Sequence, residues 1–155
     1  MSTVSSAILD PLMAADPAGP RITYYDDATG ERIELSTATL ANWAAKTGNL
    51  LRDELGAGPG SRVAVLLPAH WQTAAVLFGI WWIGAEVVLG HGDADVALCT
   101  EDRLSDADAA VGSRGRCAAG LRRRRHQHHA GRCGCGVRAD RRNYALPGLL
   151  RRPDR

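Results

Sequence analysis

Lysine is nearly absent from this chain: Lys46 stands alone against 18 arginines. Any chemistry that needs an amine as base, imine former or adjustable phosphate ligand therefore rests on that one residue. Aromatic residues make up only 5%, with Phe78 the one phenylalanine, and none accompanies the most basic stretch, residues 122–125. That argues against a base-stacking platform for single-stranded nucleic acid. The four cysteines give no legible disulfide framework, because Cys99 is isolated in an apolar stretch while Cys117, Cys133 and Cys135 all lie among arginines. Long apolar runs are missing too. The densest, residues 74–85, is shorter than the roughly 20 residues a spanning helix needs, and His70, Gln72 and Glu86 flank it. The first twenty residues are acidic, contain three prolines, and lack the basic start and apolar centre of a secretory signal. A cytoplasmic location is the expectation.

The formal net charge of +2 conceals a split between two kinds of polypeptide. Up to Ser113 there are 15 acids against five Arg and one Lys; from Arg114 onward there are 13 Arg against Asp140 and Asp154. With 155 residues and 45% hydrophobic composition, the chain has material for one globular domain and a core.

The organising stretch is residues 62–84. Arg62-Val-Ala-Val-Leu-Leu67 is a short apolar run opened by Gly58-Pro-Gly-Ser61 and closed by Pro68, the pattern of a central strand in a parallel sheet. Residues 70–83 are apolar nearly all round, with Gly84 placed to stop a helix in the left-handed conformation. The spacing predicts a strand feeding a buried crossover helix that needs cover on every side.

Upstream, residues 1–20 read as an arm: residues 5–12 allow a short helical turn, interrupted by Asp16-Pro-Ala-Gly-Pro20. Ile22-Thr-Tyr-Tyr25 and Arg32-Ile-Glu-Leu35, joined by Asp26-Asp-Ala-Thr-Gly30, predict a β-hairpin. Leu40, Trp43, Ala44, Thr47, Leu50, Leu51 and Leu55 then fall at steps of three and four, predicting an amphipathic helix capped by Ser36 or Thr37 and ended by Gly56. Downstream, Glu86-Val-Val-Leu89 predicts a strand parallel to the first, connected by a right-handed crossover. Gly90-His-Gly-Asp93 reads as a turn, Val96-Ala-Leu-Cys99 as a third strand, and residues 104–111 as a short acidic helix exposing Asp106 and Asp108. The fold class is α/β: hairpin plus amphipathic helix, then a short βαβ unit, with residues 21–113 as the domain. Residues 114–155 show no apolar period of two or 3.6 and predict a disordered basic tail. With only the hairpin and one amphipathic helix as cover, the chain is expected to fold poorly alone.

In this order the hairpin, first helix, Gly58-Pro-Gly-Ser-Arg-Val-Ala-Val-Leu-Leu-Pro68, apolar helix and Gly84-Ala-Glu-Val-Val88 carry a resemblance. The chain resembles the N-terminal end of the AMP-binding, acyl-adenylate-forming superfamily, to which acyl-CoA synthetases, luciferases and adenylation domains of peptide synthetases belong. Ile22-Thr-Tyr24, Leu40, Asn49-Leu-Leu51, Leu66-Leu-Pro68 and Gly84-Ala85 carry it, over about residues 20–112. The resemblance implies a partial N-terminal domain and a parent activity that joins ATP and a carboxylic acid as acyl-AMP, with Mg and coenzyme A serving the full-length family. It also marks departures. The tight turn at residues 90–95 replaces a longer family connection, as in a short, divergent subgroup. The phosphate loop ending in Lys, the aromatic-Gly-x-Thr-Glu motif, the ribose-binding Asp and the late catalytic Lys have no counterparts here. The chain is thus expected to be inactive alone, with no catalytic, cofactor-binding or metal residue of its own. A single Lys beside many Arg, Ala and Gly also points to a GC-rich coding sequence whose frame is lost near Ser113 or Arg114; a native basic extension is the alternative.

Each remaining candidate has a plainer account. His126, His128, His129, Cys117, Cys133 and Cys135 are zinc-ligand types, but Cys-x-Cys beside His-x-His-His lacks the spacing of a structural site. Arg122, Arg123, Arg124 and Arg125 condense on polyanions whatever their origin, and a basic-tailed nucleic-acid-binding protein is the alternative function. A dinucleotide site is excluded by the turn Leu67-Pro-Ala-His-Trp71, which has none of the glycines that admit a pyrophosphate. His70 reads as a capping or surface group, Cys99 as a small buried apolar residue, and Trp71, Trp81 and Trp82 as core packing instead of a ligand box.

Overall fold

The computed structural model describes residues 3–89 and 92–111 in full and the backbone of residues 116–121. They fall into two compact units, one within residues 1–60 and 69–85, the other within residues 61–68 and 86–155.

The first unit opens with helix α1, Val4–Ala15. Thr3 caps it: Thr3 Oγ1 accepts from the Ser6 amide at 3.1 Å and Ser6 Oγ accepts from the Thr3 amide at 3.0 Å. The segment read as an arm is therefore three turns of helix. Pro11 removes one backbone donor without ending it, because Ser5 and Leu9 are buried one turn apart and the Ser5 hydroxyl donates to the Phe78 carbonyl at 2.5 Å. Strands β1, Pro20–Asp26, and β2, Glu31–Ser36, form the expected antiparallel hairpin, with Tyr24 opposite Ile33 and Asp26 opposite Glu31.

Helix α2, Thr37–Asp53, begins where Ser36 Oγ accepts from the Thr39 amide at 3.2 Å. Its buried residues are Thr37, Leu40, Ala44, Thr47, Gly48 and Leu51, of which Leu40, Ala44, Thr47 and Leu51 belong to the predicted face. Two further bonds fasten the start of α2 to the turn after α1: the Thr37 hydroxyl donates to the Asp16 carbonyl at 3.1 Å, and the Ala38 amide to that of Pro17 at 2.9 Å. Helix α3, Trp71–Trp82, ends at Gly84, whose φ of 74° is the left-handed conformation that a glycine adopts without strain. A core of Leu9, Leu40, Ala44 and Ala75 gathers residues of α1, α2 and α3, with Ile22, Trp43 and Phe78 against it. α1 is thus the cover for α3 that the sequence reading did not supply.

Burial on α3 also differs from the expectation of a helix enclosed all round. Gln72, Ala75, Val76, Gly79 and Ile80 are buried, a spacing that marks one face. Trp71, Leu77, Phe78 and Trp81 are half-buried, and Trp82 is 39% exposed. Apolar composition fixed no direction here, since large rings remain partly accessible even when they pack.

The second unit is a parallel sheet of β3, Arg62–Leu66; β4, Glu86–Leu89; β5, Val96–Thr100; and β6, Arg116–Leu121, in the order β4-β3-β5-β6. The first three match the sequence reading; β6 extends the sheet into the segment read as lacking periodicity. Its residues pair through their backbones with β5, from Val96 opposite Arg116 to Thr100 opposite Leu121. Residues 114–115 and 122–155 of the predicted tail lie outside the described residues. A 3₁₀ turn, Glu101–Arg103, leads into helix α4, Leu104–Val111. Ala64, Leu66, Ala97 and Cys99 pack with Ala107, Ala110 and Val111 of α4. Val63, Val65, Val96 and Leu98, on the alternate side of the pleat, are buried as well, so β3 and β5 are apolar on both faces. Asp106 and Asp108, expected on the exposed face of α4, are half-buried, and Asp106 Oδ2 accepts from Arg103 Nε at 3.1 Å.

Candidate functional site

The chemistry-bearing side chains that the first unit brings together lie where α3 begins. The chain leaves β3 through Leu67, Pro68 and Ala69 and enters α3 at His70, whose backbone is extended. His70 Nδ1 accepts from the Gln72 amide at 3.2 Å, so the imidazole caps the helix, as its sequence position implied. Its ring lies 4.7 Å from that of Tyr24 on β1 and 5.5 Å from that of Trp71. Trp71 meets Trp43 of α2 edge to face at 5.7 Å, and Lys46 Nζ stands 5.6 Å from the centre of the Trp43 ring. Burial lowers the His70 pKa from its ordinary 6.5, against the pull of Glu31 and Asp26.

This constellation caps and packs. It holds an imidazole, a phenol, two indoles and an exposed ammonium. The turn before α3 has no glycine, so its backbone is not opened to a phosphate. The sequence identified His70 and Trp71 as capping and packing groups but did not join them to Tyr24 and Trp43, which are remote in the chain.

In the second unit Cys99 is fully buried among apolar residues, as read from the sequence. Burial, with Asp108 adding to it, pushes its thiol up to about 11, the reverse of what a nucleophile needs. Among the described residues no three His, Cys, Asp or Glu side chains form a metal-binding group, and no helix is long and apolar enough to cross a membrane. Of the tail's ligand-type residues, Cys117 lies on β6, described by its backbone only. Arg122, Arg123, Arg124, Arg125, His126, His128, His129, Cys133 and Cys135 lie outside the described residues.

Comparison with known proteins bears on the whole arrangement. The sequence profile of the family described as AMP-binding enzyme matches residues 14–107. A Mycobacterium tuberculosis protein bearing only a family designation is 78% identical over 112 residues, which are 72% of this chain and 46% of that protein. An acetyl-coenzyme A synthetase of Streptomyces coelicolor is 36% identical over 96 residues, 60% of this chain and 14% of the enzyme. Among solved structures, an acyl-CoA synthetase of Brucella canis superposes with a TM-score of 0.65 at 19% identity, covering 83% of this chain and 25% of that one. The chain spans less than half the length of the curated relatives it matches. These likenesses give no support to the alternative of a nucleic-acid-binding protein.

Proposed function

Because the chain belongs to the AMP-binding enzyme family and is related to part of an acyl-CoA-synthetase-like ligase, we propose that its parent activity is ATP-dependent activation of a carboxylic acid as acyl-AMP, and that this chain is inactive alone. The observation that carries the second half is the position of Lys46. Adenylation builds charge on phosphoryl oxygens that a lysine and a phosphate loop must stabilise. The chain's one lysine is on the exposed side of α2, drawn over the Trp43 ring. ATP and Mg do not fit the described residues, which offer neither a glycine-opened turn after β3 nor a carboxylate cluster. The relative lengths agree: the M. tuberculosis relative is roughly a third as long as the acetyl-coenzyme A synthetase, so this branch of the family is short. The test is ATP–pyrophosphate exchange by the purified chain with acetate, fatty acids and aromatic acids. No exchange above background is expected; exchange that depends on one of these acids would refute inactivity.

The frame change proposed near Ser113 is supported by an identity of 78% that extends over only 72% of the chain, while the arginine-dense segment follows Ser113. Reading the coding DNA in another frame after codon 113 should yield a strand and, further on, a Thr/Ser/Gly-rich loop ending in Lys. Stops in both other frames would refute it.

In this reading Arg122, Arg123, Arg124 and Arg125 bind polyanions without sequence preference, and the protein resides in the cytoplasm. Retention on heparin should fall steeply with salt and be lost by a chain ending at Ser113. Recovery of the protein from the membrane or secreted fraction would overturn the location.

A further inference from the structure

The hairpin has one face turned to the α3 start. By alternation, Ile22, Tyr24 and Asp26 share a side of β1, and their partners Leu35, Ile33 and Glu31 share it on β2. Thr23, Tyr25, Arg32 and Glu34 lie on the opposite side, where Arg32 pairs with Glu34 at 2.6 Å. His70 touches Tyr24 on the first face, and the carboxylates that end one strand and begin the other, Asp26 and Glu31, both act on its imidazole. The helix-side ring, Trp71, leads to Trp43 and so to Lys46, the cation that α2 contributes to this cluster.

The cap bond fixes the protonation state. Nδ1 receives the Gln72 hydrogen through its lone pair, so the proton of the neutral ring is on Nε2. An imidazolium carries hydrogen on both nitrogens and has no acceptor left. It would also place positive charge against the amide end of the helix. We infer that His70 is an acid-released latch: neutral, it caps α3; protonated, it leaves the Gln72 amide and turns toward Asp26 and Glu31 of the hairpin, loosening the first turn of α3.

The sign follows from the surroundings. Burial, the leading influence, favours the neutral capped form, so the stability it contributes is present above pH 6.5 and is lost as pH falls through the lowered value. The two carboxylates provide the alternative seat for the charged ring.

The experiment compares the full-length chain with its His70→Asn variant between pH 7.5 and pH 5.0, reading exchange of the Gln72 amide and the fluorescence of Trp71 and Trp43. Asparagine retains a side-chain acceptor for the cap and does not titrate, and the variant leaves the other four histidines in place. In the parent chain, Gln72 protection should drop roughly fivefold on acidification, the scale of a lost N-cap, with a matching fluorescence change. The variant should show neither. An unchanged Gln72 amide in the parent, or the same transition in the variant, overturns the latch. A Glu31→Gln change should move the parent's transition to lower pH, and no movement would remove the hairpin carboxylate from the mechanism.

Discussion

Gly79 of α3 faces Thr47 of α2 so closely that a methyl group at position 79 would lie 2.5 Å from Thr47 Cβ and 3.0 Å from the Ala44 carbonyl oxygen. Alanine is the better helix former by about 1 kcal/mol, yet these neighbours are a Cβ atom and backbone, which do not swing aside. Gly79→Ala should therefore destabilise the chain by about 1 to 3 kcal/mol, read as a lower urea midpoint at unchanged slope. Thr47→Ala should not rescue it, because the clashing Cβ remains.

Leu9 tests whether α1 is part of the core. It is 1% exposed and packs with Leu40, Ala44 and Ala75. Leu9→Ala should cost about 2 to 5 kcal/mol by chemical denaturation. Ile8→Ala, at a position 42% exposed on the same helix, should stay within about 0.5 kcal/mol. Equal effects would mean that α1 is not docked through its Leu9 side.

Asp95 and Arg62 exchange two bonds, the Arg62 amide donating to Asp95 Oδ2 at 2.8 Å and the Asp95 amide to the Arg62 carbonyl at 2.8 Å. The carboxylate thereby fastens the approach to β5 beside the first residue of β3. Asp95→Ala should cost about 1 kcal/mol and raise amide exchange at Arg62 several-fold, whereas Asp93→Ala should leave that amide unchanged.

Cys99 should resist alkylation. With its thiol raised from an ordinary 9.0 to about 11, the thiolate fraction at pH 8 is cut about a hundredfold before access is considered. Peptide mapping after iodoacetamide treatment at pH 8 should find Cys99 unmodified in native protein and modified in urea. Rapid native labelling would show that the packing of β5 on α4 opens readily.

The sheet and α2 were legible because their signals are local: a β-branched run between turn residues, and apolar residues at helical spacing. α1 was not, because Pro11, Pro17 and Pro20 look like breakers in the chain, while Leu9 and Ser5 find their partners more than thirty residues away. β6 was hidden for a related reason. Arg116 to Leu121 has little side-chain patterning, and its place rests on backbone pairing with β5. At the α3 start, composition revealed what was lacking, since one lysine and a turn without glycine can be read directly. The company of Tyr24, Trp43 and His70 depends on hairpin register and on the approach of two helices, which no local window contains.

The interleaving of the two units governs how the chain can be made and cut. Residues 61–68 lie between the segments of the first unit, and residues 69–85 between those of the second. During synthesis β3 emerges before α3, but its β5 partner, with Val63 opposite Val96, follows only after α3 and β4 have left the ribosome. Helix assembly can thus run ahead while β3 waits, and parallel pairing of such distant segments is slow by nature. It also follows that no single cut parts the two units from each other: a break at any peptide bond from residue 60 to residue 86 separates pieces of at least one of them.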